Sequence, residues 1–198
     1  MQRFREMLSA MKHRDHENES YGIVALALHW IVAAFVIVQL GLGLYAASLP
    51  LSLARLQWLS RHKSLGLAIL ALMLLRLAWR SMNRPPALPR SMPGWERSAA
   101  SATHWLLYAL LVLVPLSGWL HASAAGLSVN WFGLVQVPDL LPKNPGLSDL
   151  FKQAHRVLVA SLAVLLLVHI GAALRHAFVL HDGVLHRMLS WKPSRTIG

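Results

Sequence analysis

The chain has 198 residues, of which 56% are hydrophobic and 14% charged, and its mean hydropathy is +0.47. Soluble domains carry about 25% charged residues, so the composition excludes an ordinary soluble domain and points to a multi-pass membrane protein. The absence of cysteine excludes disulfides, iron–sulfur clusters and thioether-attached haem, and the net charge of +11 is no sign of nucleic-acid binding, because Lys and Arg gather at the ends of apolar segments where membrane topology wants them.

In chain order, residues 1–20 form a polar arm with Arg3, Arg5, Lys12, Arg14, Asp15, Glu17 and Glu19. The arm is expected to be disordered or to lie on a surface, and the apolar run behind it is too long for a signal-peptide core. A membrane domain over residues 21–190 is expected to follow, then a tail at 191–198. The first span is expected over Tyr21–Ala47, apolar apart from His29 and Gln39. A short link with Trp58 leads to a second span over His62–Arg80. Residues 81–98 are proline-rich (RPPALPRSMPGW) and read as extended. The third span runs over Ala99–Ala122 with Pro115 inside it, which frees a carbonyl and kinks the helix. Residues 123–149, with WFGLVQVP and PKNPG, read as an ordered flap at the membrane interface. The fourth span covers Leu150–Leu180. Trp58, Trp95, Trp119 and Trp131 fall near span ends, as an aromatic belt does. No internal sequence repeat is evident. The fold expected is an all-α membrane protein, a four-transmembrane-helix bundle.

Basic residues orient it. Thirteen Lys and Arg lie on the side of the N-terminal arm, the middle link and the C-terminal end; six lie opposite, at Arg55, Arg61, Lys63, Lys143, Lys152 and Arg156. Both termini are therefore expected on the cytoplasmic side of the membrane.

Of 11 histidines, His13, His16, His181 and His186 lie in tails and read as solvated. Ionisable groups inside spans are costly and usually have partners. His155 and His169 are 14 residues apart on one span, close to four helical turns, so their rings point within about 40° of one another and lie about 21 Å apart along the axis. Depth then sorts the rest. His29 shares the cytoplasmic level with His169, and His62 shares the outer level with His155. Each pair joins two different helices at one depth, which is what a haem iron with two axial imidazoles requires.

Arg76 follows His62 by 14 residues and so faces the cytoplasmic level. It either pairs with haem propionates or serves as an ordinary basic anchor. Gly43 follows His29 by 14 residues, and either lets a flat macrocycle approach or is a small residue for helix packing. His104 and His121 are 17 apart and about 100° off one face, so they do not repeat the two-level pattern. His104 is a hydrogen-bond donor to a propionate or quinone carbonyl, or a plain interfacial histidine. His176, seven residues after His169, is a weaker candidate for the same role or an alternative ligand.

The ALHW of the first span, the RHKSLG opening the second, the HWLLY opening the third and the AHR…HIG pair of the fourth resemble the bacterial cytochrome b561 family over about residues 20–190. The resemblance implies a four-helix bundle with two haem b groups, with ligands on His29, His62, His155 and His169 in the pairs that depth already suggested. Some members resemble stand-alone enzymes that pass electrons from superoxide to ubiquinone. Others are cytochrome subunits that anchor a hydrogenase or dehydrogenase. The six basic residues of the outer side face only Asp139 and Asp149, and such a face attracts superoxide or an acidic patch on a periplasmic redox protein. The expected function is transmembrane electron transfer to membrane quinone, with His104 and Arg76 assisting near the cytoplasmic side. The alternatives are an anchor subunit and, less in keeping with paired depths, a histidine-relay transporter.

Overall fold

The computed structural model describes residues 22–83, 92–182 and 185–189. The arm 1–20, Arg84 and Arg90 of the middle link, and the tail 191–198 lie outside the described residues.

Four helices are long and apolar enough to cross a membrane: α1 (Ile23–Ser48), α2 (Leu53–Met82), α3 (Gly94–Ala124) and α4 (Pro145–Arg175). A π-helical turn continues α4 over His176–Leu180, and a short α5 covers His186–Leu189. Leu44 and Leu167 are 74% and 72% exposed, side chains that only a lipid environment would cover. Between the helices, an apolar layer at mid-height gathers Val32 and Val36 of α1, Ile69 and Met73 of α2, Leu107 of α3 and Leu162 of α4.

Three helices begin earlier than their apolar stretches suggest. α2 starts at Leu53 rather than His62, capped by Ser52 Oγ accepting from the Arg55 amide at 3.3 Å. α4 starts at Pro145, with the Asn144 side chain capping Leu147 N at 3.1 Å and proline at the first turn, where its missing N–H costs nothing. α3 starts at Gly94 and takes in Trp95. Caps and helical propensity carry each helix past the hydrocarbon boundary, which hydropathy alone cannot register. Trp58 is therefore in α2 rather than in a link, with the Arg61 guanidinium 4.4 Å from its ring centre.

The flap resolves into a β-hairpin between α3 and α4. Strand β1 (Val129–Trp131) pairs antiparallel with β2 (Val135–Val137), Trp131 opposite Val135. Phe132 and Gly133 both have positive φ, and Leu134 N donates to Trp131 O at 2.9 Å, the tight turn that suits strand twist. At the end of α3, Gly126 (φ +70°) lets Gly126 N reach Ser123 O and Leu127 N reach Ala122 O, both at 2.9 Å, a Schellman closure. The hairpin is seated on α2 by Ser64. Its buried hydroxyl donates to Asn130 O (3.2 Å) and accepts from Phe132 N (3.0 Å), while Trp131 Nε1 donates to Ser64 O (3.2 Å). Lys63 Nζ donates to Leu127 O (3.3 Å) and lies 3.5 Å from Ser128 O, so this cation also holds the hairpin.

The hairpin marks one end of the bundle. α1 packs on α2, α2 on α3 and α3 on α4, but among the described residues the α4 backbone has no extended approach to α1 or α2. Side chains bridge that gap.

Candidate functional site

Two imidazole pairs cross it. At the hairpin end, the His62 and His155 ring centres are 6.3 Å apart with ring planes at 90°. At the opposite end, His29 and His169 are 6.4 Å apart at 69°. Both pairings are those the depth argument expects. His62, His104 and His155 do not open their helices, however; each lies nine or ten residues inside, so both levels are within the bundle.

The spacing tests what could sit between the rings. Two imidazoles bonded to one metal ion from opposite sides, each about 2 Å from the metal, put their ring centres roughly 6 Å apart. Both pairs meet that separation, and in each pair one ring comes from α4 and the other from α1 or α2, the helices its backbone does not closely approach. The residues present therefore fit a haem at each level.

The hairpin-end rings are seated on glycines. A Cβ on Gly43 would stand 2.9 Å from His62 Cε1 and 3.2 Å from Nδ1. A Cβ on Gly118 would stand 3.2 Å from His155 Cε1 and 3.3 Å from Nδ1. Gly43 thus makes room for a histidine ring of the next helix, rather than for a macrocycle directly. His155 Nδ1 also lies 3.0 Å from the Val114 carbonyl and 3.1 Å from Ser117 Oγ. A proton on Nδ1 shared with a carbonyl leaves the Nε2 lone pair free to bind metal.

Gly118 is a residue that pairing histidines with one another overlooks, although the signal is present. It follows His104 by the same 14 residues that separate His29 from Gly43, His62 from Arg76 and His155 from His169. Each of the four helices therefore carries one chosen residue per level. α1 and α3 each run from histidine to glycine, and each glycine seats a histidine of the following helix. The repeat is one of register, carried by so few positions that the sequence shows none.

At the opposite end His104 is not a peripheral residue. Its ring centre is 5.5 Å from that of His169, closer than His29 but short of the separation found in the other pair. Arg76 Nε donates to Tyr108 Oη at 3.4 Å, and its charge acts on His29, His104 and His169 together. Arg80 lies over Tyr108 and Trp105, at 5.3 and 5.7 Å from their ring centres. This end therefore combines the guanidinium groups of Arg76 and Arg80, the His104 imidazole and two aromatic rings, a chemistry suited to carboxylates and to a quinone carbonyl.

The remaining histidines take other parts. His121 Nδ1 lies 3.0 Å from Ser148 O and 3.2 Å from Ser148 Oγ, tying α3 to α4. His176 Nδ1 is 2.5 Å from Asp182 Oδ2 at the end of α4. That carboxylate engages the ring, and its contact is with Asp182 rather than with either imidazole pair.

A multi-pass helical bundle holding two stacked pairs of facing imidazoles is the architecture of a membrane b-type cytochrome. The model of the prokaryotic cytochrome b561 family matches residues 20–191, and the chain belongs to that family. It is 33% identical over 175 residues to cytochrome b561 homolog 2 of Escherichia coli (strain K12), covering 86% of this chain and 92% of the relative. It is 30% identical over 177 residues to the probable superoxide oxidase CybB of Yersinia pestis, covering 88% and 98%. To cytochrome b561 homolog 1 of Escherichia coli it is 29% identical over 163 residues, covering 82% and 92%. The chain is accordingly a multi-pass bacterial membrane protein of the oxidoreductase and electron-transport class, and the family implies haem b.

Proposed function

We propose that the chain holds two haem b groups, one at His62/His155 and one at His29/His169, and moves electrons from a donor at the hairpin end to membrane ubiquinone. The paired separations of 6.3 and 6.4 Å carry this reading. Bound there, the haems would supply one-electron carriage between a one-electron donor and a two-electron acceptor. In this reading the hairpin end faces the periplasm, both termini face the cytoplasm, and the membrane is the bacterial inner membrane.

The donor favoured is superoxide. The similarity to a probable superoxide oxidase supports it, as does the excess of cations near the hairpin-end pair. Lys63 and Arg156 adjoin His62 and His155 in sequence, and Arg156 is exposed, so an anion is drawn toward that level. The balance is two superoxide anions oxidised to two dioxygen molecules, with one quinone taking two electrons and two protons to become quinol. The protein's residues hold and orient: the four imidazoles fix the carriers, Gly43 and Gly118 seat two of the rings, and the apolar layer between levels excludes water. At the opposite end Arg76 holds negative charge, and His104 is placed to donate a hydrogen bond to a quinone carbonyl or a propionate.

Stopped-flow reduction of the purified chain by superoxide, with and without ubiquinone, tests the proposal. Rapid reduction by superoxide and turnover with quinone are expected from the chain alone. A chain that stays oxidised until a second subunit is added would instead be an anchor cytochrome. Normal spectra and rates in both His62→Ala and His169→Ala would overturn the ligand pairs.

A further inference from the structure

The two rings at the hairpin end are seated alike but satisfied differently. His155 Nδ1 has the Val114 carbonyl at 3.0 Å, whereas His62 Nδ1 is buried with no hydrogen-bond partner. Among the described residues, Oε1 of Gln39 is the other buried side-chain atom left in that state. The two belong to one contact. Gln39 Nε2 donates to the His62 backbone carbonyl at 2.9 Å and lies 3.3 Å from His62 Nε2. An unpaired ring nitrogen and an unpaired amide acceptor thus stand in the same buried residue pair, and leaving such groups unsatisfied is costly.

Position strengthens the relation. Gln39 precedes the seat glycine Gly43 by four residues, just as Val114 precedes Gly118. On α3 the partner of the ligand ring is a backbone carbonyl, which also accepts from Ser117 Oγ at 2.7 Å. On α1 the matching position carries the one amide side chain of that helix. Space is kept for it. Gly66, one turn beyond His62 on α2, is buried, and a Cβ there would stand 3.0 Å from Gln39 Nε2.

We propose that Gln39 is the positioning residue of His62, its Oε1 accepting the Nδ1–H of the ring as the Val114 carbonyl does for His155. The proposal rests on reading His62 and His155 as a haem pair. As the ring stands, Nε2 is the nitrogen 3.3 Å from the Gln39 amide, so closing the bond takes a turn of the ring and of the amide, both about soft torsions. Meanwhile the amide Nε2 stays anchored on the His62 carbonyl and gives up its 3.3 Å contact with the ring Nε2. A bonded Nδ1–H then fixes the tautomer, leaves Nε2 to the metal and makes the ring a stronger donor. A stronger donor favours ferric over ferrous iron, so the bond lowers the potential of the hairpin-end haem.

The test is a spectroelectrochemical titration of the detergent-purified holoprotein, with haem counted by pyridine haemochrome. It compares wild type with Gln39→Leu, Gln39→Met and Gln39→Glu. The hairpin-end wave is identified as the one missing from His62→Ala. In the Leu and Met variants that wave should move to higher potential, by about tenfold in the reduction equilibrium or about 59 mV for one electron, while the other wave stays in place. Gln39→Glu keeps an acceptor oxygen and should restore the wild-type position or fall below it. Loss of one haem in the Leu and Met variants with both retained in Gln39→Glu supports the same bond. Unmoved waves in Leu and Met, or loss of haem in all three variants, would overturn it. A wild type with a single wave and about one haem per chain would instead remove the haem pair itself and this inference with it, so the two failures are distinguishable.

Discussion

Gly118 of α3 lies against the imidazole of His155 on α4, so close that a methyl group on it would stand 3.2 Å from Cε1. Gly43 has the same relation to His62, tighter at 2.9 Å. Alanine at either site must push a ring that, in the proposed haem reading, has to stay within bonding distance of the metal. Overpacking of this kind costs about 1–3 kcal/mol. Gly43→Ala should lower the haem content from about two per chain toward one, as counted by pyridine haemochrome, and Gly118→Ala should do so less severely. Equal haem content in Gly43→Ala and wild type would remove the seating role.

His29 and His104 both approach His169, but in this reading only His29 has the separation of a ligand partner. His29→Leu should therefore cost one haem per chain. His104→Leu should keep both haems and slow quinone reduction by roughly 10–100-fold, the range for losing one positioned hydrogen-bond donor or acid. A haem count that falls in His104→Leu and not in His29→Leu would exchange their roles.

Arg76 places a positive charge among His29, His104 and His169. Positive charge favours the reduced form of a nearby carrier, so Arg76→Gln should lower the potential of the haem proposed at that level. The shift expected is about tenfold in its reduction equilibrium, about 59 mV for one electron, with the hairpin-end wave unchanged. A redox titration resolving two waves reads this directly.

If the donor is a small anion, its encounter with the hairpin end depends on screening. The second-order rate of superoxide reduction should fall several-fold between about 0.01 and 0.15 M ionic strength, as the Debye length shrinks from about 30 to about 8 Å. Arg156→Gln should flatten that slope. A rate indifferent to salt would count against steering of an anion.

Ser64 is 2% exposed, and its hydroxyl bonds β1 at Asn130 and the turn at Phe132. Ser64→Ala leaves Phe132 N without its partner and should destabilise the docked hairpin by about 1–3 kcal/mol. Faster proteolytic nicking within residues 126–143, with the visible spectrum retained, is the expected readout.

The four spans and the two histidine pairs were legible in the sequence because both rest on periodicity. Apolar length marks a span, and a gap of 14 residues returns a side chain to nearly the same face almost four turns on. The helix starts at Leu53 and Pro145 were not, since the Ser52 and Asn144 caps act beyond the apolar stretch, nor was the start at Gly94, which has no side-chain cap. Nor was the seat at Gly118, because a glycine acquires meaning only from the ring packed upon it. His104 beside His169 and Gln39 beside His62 were likewise hidden. Each contact joins two consecutive helices, but rotation about each helix axis is decided by packing rather than by local propensity.

The sequence by itself determined a membrane bundle with imidazoles at two depths, for hydropathy and helical repeat are properties of the chain. The tertiary structure set the ring separations at 6.3 and 6.4 Å, and it alone decided which glycines, carbonyl and amide lie behind the hairpin-end pair. Those contacts join different helices, and they exist only once the four helices have packed in one register.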